Sequence, residues 1–107
     1  MVVQAQLNAY NAHDIDRFVA QYSDDIVIQR LATGDLIAQG EDDLREVYGQ
    51  LFANKNLKAQ VTQRIALGDF IIDYEVVDFG DTQVQAILVF QVIESEIKRV
   101  WIINEGG

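Results

Sequence analysis

The chain contains no cysteine and no proline, and only one histidine and one tryptophan among its 107 residues. Without cysteine there is no disulfide framework, no thiolate nucleophile and no cysteine-based zinc site. With His13 alone, a histidine-rich metal site within one subunit is excluded as well. The lack of proline leaves every strand-like run uninterrupted. Positive charge is scarce: eight lysines and arginines stand against 17 aspartates and glutamates, a formal charge of −9. That balance repels phosphate backbones and anionic lipid, so nucleic acid and membrane surfaces are disfavoured and small molecules or proteins remain as partners. No apolar run approaches the roughly 20 residues of a bilayer span. The opening MVVQAQLNAY lacks the basic segment, apolar stretch and cleavage site of a secretory signal, so the expected location is the cytoplasm. No glycine-rich phosphate loop or other cofactor signature occurs, and no cofactor is expected.

Half of the residues are hydrophobic, which is enough apolar surface to offset the entropy of ordering and excludes a disordered chain. The length suits one core, and a single domain over residues 1–107 is expected. Leu7, Tyr10 and Val3 recur at helical spacing, and Ala5, Ala9 and Ala12 favour a helix over about residues 2–13. Asp14 can cap a second helix carrying Ile15, Phe18, Val19 and Tyr22 on one face, with Ser23, Asp24 and Asp25 as its stop. Ile26, Ile28 and Arg30 then alternate with Val27, Gln29 and Leu31 in a first strand. Thr33-Gly34-Asp35 supplies a turn, and Leu36 to Gln39 returns as a hairpin partner. Glu41, Asp42 and Asp43 after Gly40 place negative charge where a helix dipole favours it. Leu44, Val47, Tyr48, Leu51 and Phe52 form the stripe of this third helix, expected to run to about Asn54. From Lys58 the period becomes two, with turns at Gly68-Asp69, Gly80-Asp81 and Glu94-Ser95-Glu96, which describes a four-stranded antiparallel meander. Gly106-Gly107 reads as a frayed end.

The strands are apolar on both faces. Val84, Ala86, Leu88, Phe90 and Val92 form one wholly apolar set, and the opposite face of the same run is half apolar. Val100 and Ile102 likewise oppose Ile97, Trp101 and Ile103. An antiparallel sheet with one solvated face alternates more cleanly than this. Three helices can cover one face only, so the second is expected to meet another copy of the chain in a homodimer.

Tyr10-Asn11-Ala12-His13-Asp14-Ile15-Asp16 with Phe18, then Tyr22, Asp24-Asp25 before a strand, Gly40 before the third helix, Tyr48 within it, and Gly68-Asp69-Phe70 resemble the nuclear transport factor 2-like superfamily, in its SnoaL-like and ketosteroid isomerase-like branch. The resemblance covers nearly the whole chain. It implies an α+β cone in which three helices pack in the concave face of a strongly bent, mainly antiparallel sheet around an apolar pocket. The scaffold hosts isomerases, cyclases, hydrolases and dehydratases as well as non-catalytic binding modules, so fold alone does not assign a reaction. Registered on Asn11, Asp14 and Asp24-Asp25, the oxyanion-binding tyrosine of ketosteroid isomerases falls at Gln6, the proton-shuttling aspartate at Arg30 and the protonated aspartate near Leu88. All three roles are vacant. Tyr48 and Tyr22 match supporting tyrosines of that pocket. The charged set of epoxide hydrolases falls near Val76, Asp78 and Ile102, where only Asp78 is acidic, and the inner-face acid of polyketide cyclases has no counterpart between Val84 and Val92. The implied function is therefore a protein with an apolar pocket for a small apolar or weakly acidic molecule, either an enzyme of isomerase, cyclase or hydrolase type or a non-catalytic ligand-binding or protein-interaction module.

Arg30 is expected on the concave side, where a guanidinium needs a carboxylate or an anionic ligand to offset its desolvation. It either binds a carboxylate or enolate-like oxygen of the ligand, or reaches the rim, or forms a structural bridge with Asp35 or Asp78. Tyr10, Tyr22 and Tyr48 can offer phenol donors from an apolar wall. Gln6 can orient a ligand or water, and Tyr74 alternates with Ile72 and Val76 toward the expected interior. Phe52, Leu88 and Ile102 complete the expected lining. Arg64, Asp73 and Glu75 are read as a cross-strand ion-pair cluster on the convex face with Arg99 and Trp101, at the dimer surface. His13, in the joint between two helices, is expected to be exposed and structural. The acidic clusters Asp24-Asp25 and Glu41-Asp42-Asp43 are read as turn and cap residues rather than metal ligands.

Overall fold

The computed structural model describes residues 1–104, and the expected frayed end, Gly106-Gly107, lies outside the described residues. Three helices, α1 (Val2–Ala12), α2 (Ile15–Val19) and α3 (Glu41–Phe52), accompany six strands: β1 (Tyr22–Arg30), β2 (Leu36–Gln39), β3 (Lys58–Leu67), β4 (Phe70–Asp78), β5 (Gln83–Ile93) and β6 (Glu96–Asn104). The sheet order is β2-β1-β6-β5-β4-β3. The expected meander runs from β3 to β6, each pair antiparallel. The chain's two halves join where β1 pairs parallel with β6. Register shifts in the β1–β2, β3–β4 and β5–β6 pairs leave Ile37, Thr62 and Lys98 as extra residues on β2, β3 and β6, and an extra residue on one strand bends it and increases its local twist. None of the described helices is long and apolar enough to cross a membrane.

Helix α1 ends where His13 takes a left-handed conformation, φ 57. The His13 and Asp14 amides bond back to the Tyr10 and Ala9 carbonyls at 3.1 and 3.0 Å, the paired closure of a Schellman motif. His13 is not exposed as expected. Its ring lies beside Phe52 and its Nε2 is 2.7 Å from the Leu57 carbonyl, so its role is to tie the helix joint to the segment entering β3. Asn11 makes a second tie: its amide donates to the Ala59 carbonyl at 2.9 Å and its oxygen accepts from the Ala59 amide at 2.7 Å. A side chain here supplies the bonds that a neighbouring strand would otherwise give to this edge of β3.

Asp14 caps α2 by accepting from the Arg17 amide. The helix is shorter than its apolar spacing suggests, because Tyr22 already belongs to β1 and stands opposite Ile97 of β6. Strand pairing overrides helical periodicity at that residue. At the start of α3, Gly40 has φ 86 and ψ 164, a region essentially restricted to glycine. Its amide bonds to the Ile26 carbonyl at 2.7 Å, so the chain turns from β2 into α3 directly against β1. The helix stops at Phe52, two residues before the expected Asn54. Its Leu44, Tyr48 and Phe52 are buried, while Val47 and Leu51 on the same stripe face a hollow between α3 and the sheet.

Candidate active site

The hollow has a volume of about 340 Å³ and opens between the helices and the concave face of the sheet. Its walls are mainly aliphatic, from Leu7 of α1, Val47 and Leu51 of α3 and Val84, Leu88 and Ile102 of the sheet. Polar groups are concentrated in two places. One holds Glu75 with Gln6, Tyr10, Tyr22 and Tyr48, and the other holds Arg30 with Asn104.

Glu75 arrives there because the inner and outer faces of β4 are the reverse of the expected assignment. Arg64 does stand opposite Asp73, as the turn at Gly68-Asp69 predicts. However, Asp73 pairs with Leu88, which pairs with Ile102, and Glu75 pairs with Ala86, which pairs with Asn104. These rows form the concave wall, so the set Arg64, Asp73 and Glu75 is not a convex surface cluster. Asp73 is completely buried and Glu75 is 5% exposed. Tyr74, expected inside, points the other way, and its hydroxyl donates to Gln85 on the outer face at 2.9 Å. Apolar Ile72 and Val76 share that outer face by the strand's alternation.

The acidic inner face of β4 is accommodated by two different means. Arg64 clamps Asp73 with Nε at 2.6 Å and Nη2 at 2.9 Å, and its Nη1 donates to Gln4 of α1 at 2.8 Å. This is a bidentate, charge-assisted pair of the strongest kind. Glu75 has no such clamp, and among the described residues none donates a hydrogen bond to it. Among the described residues no fully enclosed side-chain oxygen or nitrogen lacks a partner, so the Glu75 carboxyl oxygens open onto the cavity. Burial, reinforced by the nearby Asp73 charge and only partly countered by Arg64, pushes its pKa up to about 7. An ordinary glutamate would be fully ionised at that pH.

Around Glu75, Phe18 packs against Tyr22 and Tyr48 with ring centroids 4.9 and 4.8 Å apart. Tyr10 meets Tyr48 edge-on at 6.4 Å. Tyr22 donates to the Gln6 side-chain oxygen at 3.3 Å. Tyr10 and Tyr48 have no hydrogen-bond acceptor among the described residues, so their hydroxyls also open onto the cavity. Burial raises both phenol pKa values, aided for Tyr10 by Tyr48 and for both by Glu75. They therefore remain protonated donors at any physiological pH. Phe52, expected in the lining, stands one layer back, edge-on to Tyr10 at 5.4 Å and Phe18 at 5.3 Å.

Arg30 lies on the cavity wall, where its Nη1 donates to Asn104 Oδ1 at 3.1 Å. Asp78, considered as its partner and as a hydrolase acid, accepts from the Gly80 amide at 2.8 Å and so shapes the β4–β5 turn. Sequence reasoning did not single out Asn104. Plain counting across the Glu94-Ser95 turn pairs it with Gln85 on the outer face, and the register shift between Gln91 and Val92 is what moves it opposite Ala86 and into the Glu75 row. Among the described residues no group of three histidines, cysteines, aspartates or glutamates is arranged to hold a metal ion.

Comparison with known proteins agrees with this architecture. The model of the SnoaL-like domain family matches residues 3–100. Among solved structures, an uncharacterized cystatin-fold protein of Novosphingobium aromaticivorans superposes with a TM-score of 0.89 at 23% identity, covering 95% of this chain and 94% of its own. A proposed ketosteroid isomerase of Kribbella flavida gives 0.84 at 17% identity, covering 99% and 76%. A proposed polyketide cyclase of Sinorhizobium meliloti gives 0.79 at 20% identity, covering 95% and 93%. Among curated proteins none matches the chain. At these identities the structural likeness is one of fold. The family match over residues 3–100, joined to three helices in the concavity of a six-stranded curved sheet, shows that the chain belongs to the SnoaL-like domain family and has the NTF2-like fold.

Proposed function

We propose that the protein catalyses proton transfer on a small carbonyl compound bound in the cavity, as an isomerase or cyclase. The observation that carries this reading is Glu75, a carboxyl group open to a mainly aliphatic hollow, without a hydrogen-bond donor among the described residues and with a pKa pushed up to about 7. A base whose pKa lies near the working pH combines the right protonation state with useful driving force. In the step envisaged, ionised Glu75 removes a proton from the carbon next to a ligand carbonyl. The C–H electron pair becomes the new carbon–carbon double bond, and the carbonyl electrons move onto oxygen. The Tyr10 and Tyr48 hydroxyls donate to that oxygen, where the negative charge develops. Glu75 then returns the proton to another carbon of the conjugated system, or the enolate attacks a second carbonyl carbon of the same molecule and closes a ring, the electrons of that carbonyl moving onto its oxygen, which takes the proton back from Glu75. By the resemblance, the aspartates of ketosteroid isomerases fall at Arg30 and near Leu88, so in this reading Glu75 supplies the acid–base group from a different strand.

The same proposal makes the protein a homodimer working in the cytoplasm. Ile65, Ile72, Val89 and Trp101 stand in register across β3 to β6 on the outer face, and Phe70 and Ile103 beside them are 38% and 40% exposed. A continuous apolar row of this kind favours a second copy of the same surface. The test of the reaction is proton NMR of cyclohexanone in heavy water. Wild-type protein should accelerate exchange of the protons next to the carbonyl, and Glu75→Gln should abolish the acceleration. Exchange no faster than in buffer, with ligand still bound, would instead identify a non-catalytic binding module.

A further inference from the structure

Two charged side chains, one of each sign, belong to the described cavity wall: Glu75 and Arg30. Their placement is ordered by the sheet. Glu75 of β4, Ala86 of β5 and Asn104 of β6 form one cross-strand row, and Arg30 reaches back from β1 to donate to Asn104 at 3.1 Å. Two strand spacings separate the ends of the row, about 10 Å. The residue between them is alanine, whose methyl group leaves the floor low, while Val84 flanks the row as a further apolar member of the wall.

We infer that the ligand is a small carboxylate-bearing carbonyl compound, its acid group held by Arg30 and Asn104 and its reacting carbon at Glu75. The guanidinium is a planar fork of five donors, and its bond to Asn104 fixes one edge of that plane. A carboxylate would join this network, with the Asn104 amide nitrogen as a further donor. At the other end, Tyr10 and Tyr48 present donors that no described residue accepts. A carbonyl oxygen satisfies them, whereas an ammonium ion, having no lone pair, would leave them unpaired. Between the two ends there is room for a short carbon chain or a single ring. The Glu75 half of this inference rests on the proton-transfer reading, and the Arg30 half does not.

The test uses calorimetric binding of 4-oxocyclohexanecarboxylate and of its uncharged analogue 4-methylcyclohexanone at pH 7. The wild-type protein should bind the acid about tenfold more tightly. Arg30→Met should reduce that preference to less than twofold. Asn104→Asp, which preserves shape but introduces a competing carboxylate, should do the same if Arg30→Met does not fold. Equal affinity for the two probes in the wild type would overturn the inference. So would a preference untouched by both substitutions, or tighter binding of 4-methylcyclohexylamine than of the acid. Proton exchange of both ketones in heavy water separates this from the proposed reaction. An Arg30-dependent preference without exchange would sink the reaction and retain the acid site; Glu75-dependent exchange without preference would do the reverse.

Discussion

Arg64 and Asp73 face each other across β3 and β4 in a two-pronged ion pair, 2.6 and 2.9 Å, with Asp73 fully buried. The third arm of the guanidinium is held by Gln4. Arg64 is thereby engaged before it can neutralise Glu75, two residues further along the same face of β4. The buried pair contributes structure, and its geometry leaves the neighbouring carboxyl group as the titratable element of the cavity.

Replacing Asp73 with asparagine should therefore lower the pKa of Glu75 from about 7. Both changes act in one direction: a repelling charge disappears and Arg64 is released toward Glu75. The acid limb of the proton-exchange rate against pH should move to lower pH by the same interval. Because Arg64 is part-exposed, the loss of the pair should destabilise the fold by only about 1–3 kcal/mol in urea titration.

Glu75→Gln should change how stability depends on pH. Below about 4.5 the carboxyl is protonated in both folded and unfolded chains and has no effect. Between about 4.5 and about 7 the unfolded chain releases its proton first, so the wild type loses stability as pH rises, and above that range the loss is constant. The shift corresponds to about 3 kcal/mol. Unfolding in urea should show the variant gaining on the wild type across this interval, and parallel curves would argue against a perturbed carboxyl group.

The tyrosine hydroxyls should separate by role. Tyr10→Phe and Tyr48→Phe remove groups without a described protein acceptor, so stability should change by less than about 1 kcal/mol. Both should slow proton exchange on the ketone probe by roughly tenfold to a hundredfold. Tyr22→Phe removes the bond to Gln6 and should cost about 1 kcal/mol of stability, with a smaller effect on exchange.

Asn11→Ala tests how α1 holds the edge of the sheet. The substitution strips partners from both the amide and the carbonyl of buried Ala59. A loss of about 2 kcal/mol is expected, together with faster hydrogen exchange at the Ala59 amide than at amides in the centre of the sheet.

Ile72→Glu places a charge in the apolar row formed with Ile65, Val89 and Trp101 on the outer face. Light scattering should report dimers for the wild type and monomers for the variant. Monomers in both would remove the dimer from the account.

Elements with strong local signals were legible in the residues themselves. Leu44, Tyr48 and Phe52 recur every four positions and do form the buried stripe of α3, Asp14 does cap α2, and the period-two runs after Lys58 do form a meander. Tyr22 fits the spacing of α2, while the partner that draws it into β1, Ile97, is far away in sequence. The same distance hid the parallel pairing of β1 with β6. The position of Glu75 is hidden for a chemical reason: Ile72, Tyr74 and Val76 are the more apolar set of β4, and apolarity alone assigns them to the inside. The hairpin at Gly80-Asp81 contained the correction, since pairing Asp78 with Gln83 brings Glu75 beside Ala86 of the apolar inner set. An acid on that face is tolerable because Glu75 opens onto the cavity and Arg64 holds its neighbour Asp73.

The proposed chemistry depends on Glu75 titrating near neutrality inside the cavity. Carbon-13 NMR of the side-chain carboxyl in glutamate-labelled protein, assigned by its disappearance in Glu75→Gln, measures this directly. The account predicts a midpoint at about 7; a midpoint at the ordinary glutamate value, near 4.3, would contradict it.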